Sequence, residues 1–485
     1  MINLLLVGLG PHAKRIYYPI AETSGLKNNF RIVHAIDLES KKEDISSYFR
    51  VNGYTPIDIT YFSDNQKSYN KLKPEVCSIL DKIVETKKIT GVIISTEPLS
   101  HTSYAEWALS RGLSILMDKP VSIRENVVNS LEAVEGILDD YNILEKAYVK
   151  AQAKNPHIVF SLMAQRRFHP AFIKIKELIK EVFNETNCPI TSIQSFHSDG
   201  QWRMPSEIVD QVYHPYCQGY GKCSHSGYHS IDIAPWLIEA TESKGKEINN
   251  VEVFSNFLYP NDFLTQLSLK DYSNLFTDFD QTNKYNTNEL VEKFRAYGEI
   301  DAFLSFKFKH GDKTLSLGST NLIHNGFAQR NWTSTLGRDL YKGNGRVRHE
   351  GHYIEQGPFQ SISYLSYQGN EIDPDNLDGV YDIGGEYHLD IHVFRNQKMF
   401  PKWKNYEKIT INEIGVNIME GKSRGHQEDA RRTCFLEFVL ALQDSKNKVS
   451  SDFLDHKRST LLLYAAYKSA VLRKIGKNPV VNITF

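Results

Sequence analysis

The chain begins MINLLLVGLGPHA, an apolar run closing on Gly8-x-Gly10-x-x-Ala13. This pattern leaves few folds open, because a buried strand must turn sharply into a helix. Gly8 permits the tight turn, Gly10 lets the backbone approach a pyrophosphate, and Ala13 lets helix pack closely on strand. Pro11 and His12 occupy the first helical turn, where unpaired N–H groups and the helix dipole favour an anion. A second apolar segment, Arg31–Asp37, ends in a carboxylate. At that strand end Asp37 accepts both hydroxyls of an adenosine ribose and repels a 2′-phosphate, which predicts NAD rather than NADP. The opening run has no basic segment before it and leads straight into the glycines, so it reads as a core strand rather than a signal peptide.

Further along, strands predicted at Gly91–Ser95 and Ser114–Met117 alternate with helices at Ala13–Thr23, Pro74–Glu85, Ser100–Ser110 and from Val121 to about Lys154. Such alternation implies a parallel sheet with helices on both faces. After residue 155 the rhythm changes. Strands are expected at Ile158–Met163, Ile190–His197, Val251–Phe257, Ala302–Phe308, Thr314–Gly318 and Gln360–Tyr367. Helices are expected at Pro170–Val182, near His229–Glu239, and at Glu428–Asp444 and His456–Lys474. The expected organisation is an α/β chain with a Rossmann domain over 1–155 and an α+β domain over 156–485. Polar stretches near 259–292 and 325–425 read as insertions or long loops.

Composition removes several classes of function. A net charge of -1 gives no electrostatic footprint for nucleic acid or an acidic membrane surface. No apolar run approaches the roughly 18 residues of a membrane-spanning helix. The five cysteines are odd in number and mostly scattered, which argues for a reducing cytoplasm over a disulfide framework.

Two segments carry chemistry beyond the glycine turn: STEPLSHTSYAEWALSRGLSILMDKP (95–120) and SHSGYHSIDIAPWL (224–237). With them the chain resembles the glucose–fructose oxidoreductase / inositol dehydrogenase (Gfo/Idh/MocA) family. The matching elements are the glycine turn, then Thr96, Pro98 and His101, then Asp118-Lys119-Pro120, then His225-x-Gly227-x-His229-x-x-Asp232. The resemblance covers roughly residues 1–240. It implies a second domain with a large, mostly antiparallel open sheet, and a homo-oligomer (dimer or tetramer). It implies NAD as cofactor and a sugar, sugar derivative or cyclic polyol as substrate. Thr96, Pro98, His101 and Asp118 would then stand on the cofactor side.

In that setting Lys119 would hydrogen-bond the reacting oxygen and stabilise developing negative charge, and His229 would move the proton. A solvated loop lysine and a packed core histidine are the plain alternatives. Arg166, Trp202, Arg203, Tyr213, His225 and Asp232 are the candidate substrate contacts. Two departures matter: Asp118 replaces the family's usual Glu, and His225 replaces an Asp. The second leaves substrate and reaction open. An NAD-using glycosidase acting by transient oxidation and elimination, and a non-catalytic NAD- and sugar-binding regulator, stand as competing readings. The Cys/His-rich segment with His214, Cys217, Cys223, His225 and His229 has the residue types of a zinc site but not the spacing of a common one, so no metal is expected.

Overall fold

The computed structural model describes residues 1–25, 29–66, 71–333, 345–369, 379–414, 425–444 and 446–485. The chain divides into two compact units. The first comprises Met1–Ile123, Ile137–His169 and Asn417–Thr460, and the second Arg124–Gly136, Pro170–Val416 and Leu461–Phe485. The boundary expected at residue 155 therefore moves to His169, and the chain returns to the first unit late.

The first unit holds a six-stranded sheet of β1 (Ile2–Val7), β2 (Phe30–Leu38), β3 (Asp58–Phe62), β4 (Gly91–Ile94), β5 (Ser114–Met117) and β6 (Phe160–Leu162), in the order β3-β2-β1-β4-β5-β6. Every ladder is parallel. β4 and β5 are buried at every position, as strands covered on both faces must be. The chain builds outward from β1 to β3 and then returns to β4 on the other side of β1. That reversal opens a crevice at the carboxyl ends of β1 and β4, where ligands of such sheets bind. β6, expected to open the second domain, instead closes this sheet beside β5. The late helix His426–Gln443 belongs here too, its Phe435, Phe438 and Val439 packing with Leu4 and Leu6. The helix expected over Ala13–Thr23 is two, Pro11–Arg15 and Tyr17–Ser24, interrupted at Ile16.

The second unit holds a nine-stranded sheet of β7 (Ser192–Ser198), β8 (Asn250–Leu258), β9 (Asp301–His310), β10 (Lys313–Ile323), β11 (Val347–Gln356), β12 (Gln360–Gly369), β13 (Asp390–Arg395), β14 (Tyr406–Thr410) and β15 (Val481–Thr484). Its order is β14-β13-β12-β11-β7-β10-β9-β8-β15. All ladders are antiparallel except β7 with β10. The strands alternate with a period of two, as a sheet covered on one face requires. In β9, Ala302, Leu304, Phe306 and Phe308 are buried while Phe303 is exposed. On the covered face Phe172, from the helix Pro170–Thr186, stacks on Tyr364.

The stretch read as an insertion or loop at 259–292 is a cluster of short helices: Pro260–Gln266, Leu269–Leu275, Phe279–Thr282 and Thr287–Phe294. Phe263, Tyr272, Phe279, Leu290 and Phe294 form their shared core. The polar residues that suggested a loop cap these helices. Ser268 Oγ accepts from Asp271 N at 3.3 Å, and Asn286 Oδ1 from Glu289 N at 3.0 Å. The second stretch, 325–425, supplies β11 to β14 and is part of the sheet itself. Residues 334–344, 370–378 and 415–424 of it lie outside the described residues.

Candidate active site

In the first unit the predicted dinucleotide residues gather at the carboxyl edge of the sheet. Gly8 has φ +87°, and a Cβ there would lie 2.7 Å from the Ser95 carbonyl oxygen beyond β4. Any other residue is excluded by both strain and space. Ala13 is fully buried beneath the turn, and no side chain caps the helix that Pro11 begins. Asp37 lies against the same turn. Its Oδ2 accepts from Leu9 N and its Oδ1 from Leu38 N, each at 2.7 Å. Burial raises its carboxyl pKa, and the two N–H groups only partly offset that. Each oxygen keeps acceptor capacity for a ribose hydroxyl.

Replacing Asp37 with serine is expected to weaken NADH binding about 10- to 100-fold, the range for lost hydrogen bonds to a charged group. NADPH should lose much less, because the repulsion of its 2′-phosphate goes as well. Fluorescence titration of both cofactors gives the ratio, and an unchanged ratio would show that Asp37 does not read the ribose.

Asp118 faces inward. It accepts from the Tyr17 hydroxyl, from Ser95 Oγ at 2.8 Å and from His12 Nδ1 at 2.9 Å. Burial opposes its ionisation, but the His12 ring and the two hydroxyls prevail and hold its pKa at about 2. Asp118 thus ties the helix after the glycine turn to the loops after β4 and β5. His101 is a second strut. It is fully buried, with Nδ1 2.9 Å from the Pro120 oxygen and Nε2 3.2 Å from the Thr96 oxygen. Thr96 Oγ1 donates to the Glu97 oxygen, and Pro98 starts a single turn of 3₁₀ helix. Lys119, half-buried, lies between the residues held by the two struts. His12 Nε2 is buried without a partner among the described residues. An orphaned ring nitrogen on the glycine-turn helix, beside uncapped N–H groups, suits a pyrophosphate. These residues fit a bound NAD. Arg166 is buried in the turn Gln165–Phe168 that follows β6.

In the second unit, Arg203, Tyr213 and His225 line one pocket together with Asp199, Lys222 and His324. It is partly open to solvent. The parallel pair builds its floor. Register sets Ile323 of β10 beside Ser198 of β7, so the residues that follow, Asp199 and His324, emerge at the same edge. Gly200, with φ +60°, passes so close to β11 that a Cβ would lie 1.8 Å from the Val347 oxygen.

Asp199 is the hub of a buried charge cluster. It pairs with the Lys222 ammonium, accepts from Ser226 Oγ at 2.8 Å, and has Arg346 Nη2 at 3.4 Å and His324 Nδ1 at 3.6 Å. Lys222 also reaches Ser226 Oγ at 2.9 Å and His197 Nδ1 at 3.1 Å. Burial alone would raise the Asp199 carboxyl. The Lys222 ammonium, aided by His324, His197 and Arg346, overrides it and holds the pKa well below the usual range.

The remaining predicted residues are spread out. His225 stacks among His214, Tyr216 and Tyr220, with ring centroids 4.6, 5.6 and 5.3 Å away. Trp202 donates from Nε1 to the Tyr272 hydroxyl at 3.1 Å and braces the helical cluster. His229 and Asp232 are buried in the helix Tyr228–Ile238. Asp199, Lys222 and His324 escaped sequence reasoning. Lys222 stands inside the Cys/His-rich segment between His214 and His229, which was a signal. The other two are ordinary strand-end residues until the register of β7 and β10 is known. Among the described residues no three His, Cys, Asp or Glu side chains are grouped to hold a metal ion.

Glycine turn, a carboxylate at the end of the second strand and a switch point are the features of a dinucleotide-binding Rossmann domain. Residues 2–137 match the Gfo/Idh/MocA family, described as an oxidoreductase family with an NAD-binding Rossmann fold. The match covers the opening part of the first unit and assigns NAD as the group that domain binds. No curated protein matches the sequence. Among solved structures, an oxidoreductase from Agrobacterium radiobacter in complex with NAD+, L-tartaric acid and magnesium is similar with a TM-score of 0.56 and 12% identity, over 100% of this chain and 98% of that one. A levoglucosan dehydrogenase in complex with NADH and levoglucosan gives 0.54 and 14%, over 100% and 99%. The WlbA dehydrogenase from Chromobacterium violaceum, in complex with NADH and UDP-GlcNAcA, gives 0.55 and 14%, over 100% and 96%. At these identities the likeness is one of fold.

Proposed function

We propose that this protein oxidises a secondary alcohol of a sugar, sugar derivative or cyclic polyol, or runs the reverse reduction. The observation that supports this most is the position of Lys119 at the carboxyl edge of the Rossmann sheet, between an Asp118 strut and a His101 strut that fix the turn around it. Bound NAD supplies the hydride acceptor. Lys119 holds the reacting oxygen and stabilises charge as the C–H bond breaks. His229 takes the hydroxyl proton, since an imidazole can both accept and return one. Pro98 and Thr96 border the cofactor side. Asp118 acts through position, since its carboxylate is spent on Tyr17, Ser95 and His12. Arg203, Tyr213 and His225, which line the pocket of the second unit, are proposed substrate contacts, as are Arg166, Trp202 and Asp232. The similar structures carry ligands as different as levoglucosan, tartaric acid and UDP-GlcNAcA, which supports a carbohydrate-like substrate without choosing one. The test is a screen of sugars, polyols, sugar acids and nucleotide sugars with NAD+, following NADH absorbance. Stoichiometric NADH from one of them is expected. Turnover without NADH accumulation would instead support the glycosidase reading.

A further inference from the structure

The pocket of the second unit contains an unmatched positive charge. Arg203 is 3% exposed, so its guanidinium is out of water. Nη2 donates to Gln201 Oε1 at 2.9 Å, but Nε and Nη1 have no partner among the described residues. The nearby carboxylates are committed. Glu207 is bound at both oxygens by Arg330, each contact 2.7 Å. Asp199 is held by Lys222, Ser226 and Arg346. A guanidinium cannot shed its charge, so burying it with idle N–H groups is costly unless something else supplies the acceptor.

Other atoms of the same pocket are idle too. The Tyr216 hydroxyl, Gln211 Oε1 and His324 Nε2 are buried without partners among the described residues. His324 is neutral near pH 7, because burial lowers its pKa to about 4. Its Nδ1 faces Asp199, which draws the ring proton to that side and leaves Nε2 as an acceptor. Gln211 Oε1 is a second acceptor, and the Tyr216 hydroxyl is a donor. The set therefore offers a cation and a donor for an anionic group, with two acceptors for hydroxyl groups.

We infer that the pocket binds a carboxylate that carries neighbouring hydroxyls, so that the substrate is a sugar acid with its carboxylate on Arg203 and a hydroxyl on His324 Nε2. A planar carboxylate suits a guanidinium, and hydroxyl-accepting atoms beside it are of no use to a sulfate, which has no hydroxyl. This rests on the pocket being the substrate site of the oxidoreductase proposed above.

The test is calorimetric titration of D-glucuronate, D-glucose and inorganic sulfate into the full-length protein with NAD+ present. Wild type should bind glucuronate at least about ten-fold more tightly than glucose, the effect of one charge-assisted contact. It should also bind glucuronate more tightly than sulfate. Arg203→Gln should bring the glucuronate-to-glucose ratio close to one, and Arg203→Lys should keep part of it. Equal wild-type affinities, no glucuronate binding, a ratio unchanged in Arg203→Gln, or tighter binding of sulfate would each overturn the assignment. The wild-type ratios decide even where a variant fails to fold. If no alcohol yields NADH but the ratio holds, the oxidoreductase reading fails and the sugar-acid site stands. If neutral sugars are oxidised and the ratio is one, only the sugar-acid inference falls.

Discussion

Replacing Asp199 with alanine should destabilise the protein by about 3–5 kcal/mol, the range for removing one partner of a buried ion pair. Lys222 has no exposure, so its ammonium cannot turn to water when the carboxylate is gone. Ser226 and Arg346 lose an acceptor at the same time. Urea denaturation reads the loss as a lower midpoint at an unchanged slope. A change below about 1 kcal/mol, the value of an exposed pair, would mean the cluster is hydrated. The pH dependence has a definite sign. The folded-state pKa of Asp199 is depressed, so its contribution is complete above the ordinary aspartate value near 3.9 and is lost as pH falls below it. Asp199→Ala should therefore be less acid-sensitive than wild type across that window, besides being less stable above it.

Local pattern carried much of the first unit into view. β5 falls on its predicted bounds, and the glycine turn, Asp37 and Lys119 stand at one sheet edge because βαβ connections leave little choice. What stayed hidden is what depends on long-range pairing. β6 reads like any short apolar run, and only its ladder with β5 assigns it to the first sheet. The capped helices between 260 and 294 read as loop because Ser268, Asn286 and their acidic partners are turn formers outside a helix and cap formers at its start. The site divides in the same way. Arg203, Tyr213 and His225 came into consideration through the family resemblance, and they line one pocket. Asp199 and His324 did not, since 125 positions separate them and their meeting follows from the β7–β10 register. The missing carboxylate at position 225 now has a context, because Asp199 brings one to the same pocket from the end of β7.

Lys119→Ala is expected to lower kcat by about 10²- to 10⁴-fold, as loss of a positioned charge at the reacting oxygen does. NADH affinity should stay near that of wild type, because Gly8, Asp37 and the helix turn are untouched. The two struts make this a clean test. Asp118 is fixed by Tyr17, Ser95 and His12, and His101 reaches the backbone oxygens of Thr96 and Pro120, contacts that the substitution leaves in place. Lys119→Arg should recover little activity despite keeping the charge, since a planar fork does not reproduce a compact ammonium at a single oxygen. Single-turnover kinetics separates the chemical step from cofactor binding. A kcat within about threefold of wild type, less than 1 kcal/mol in barrier, would remove Lys119 from the chemistry and return it to the status of a loop lysine.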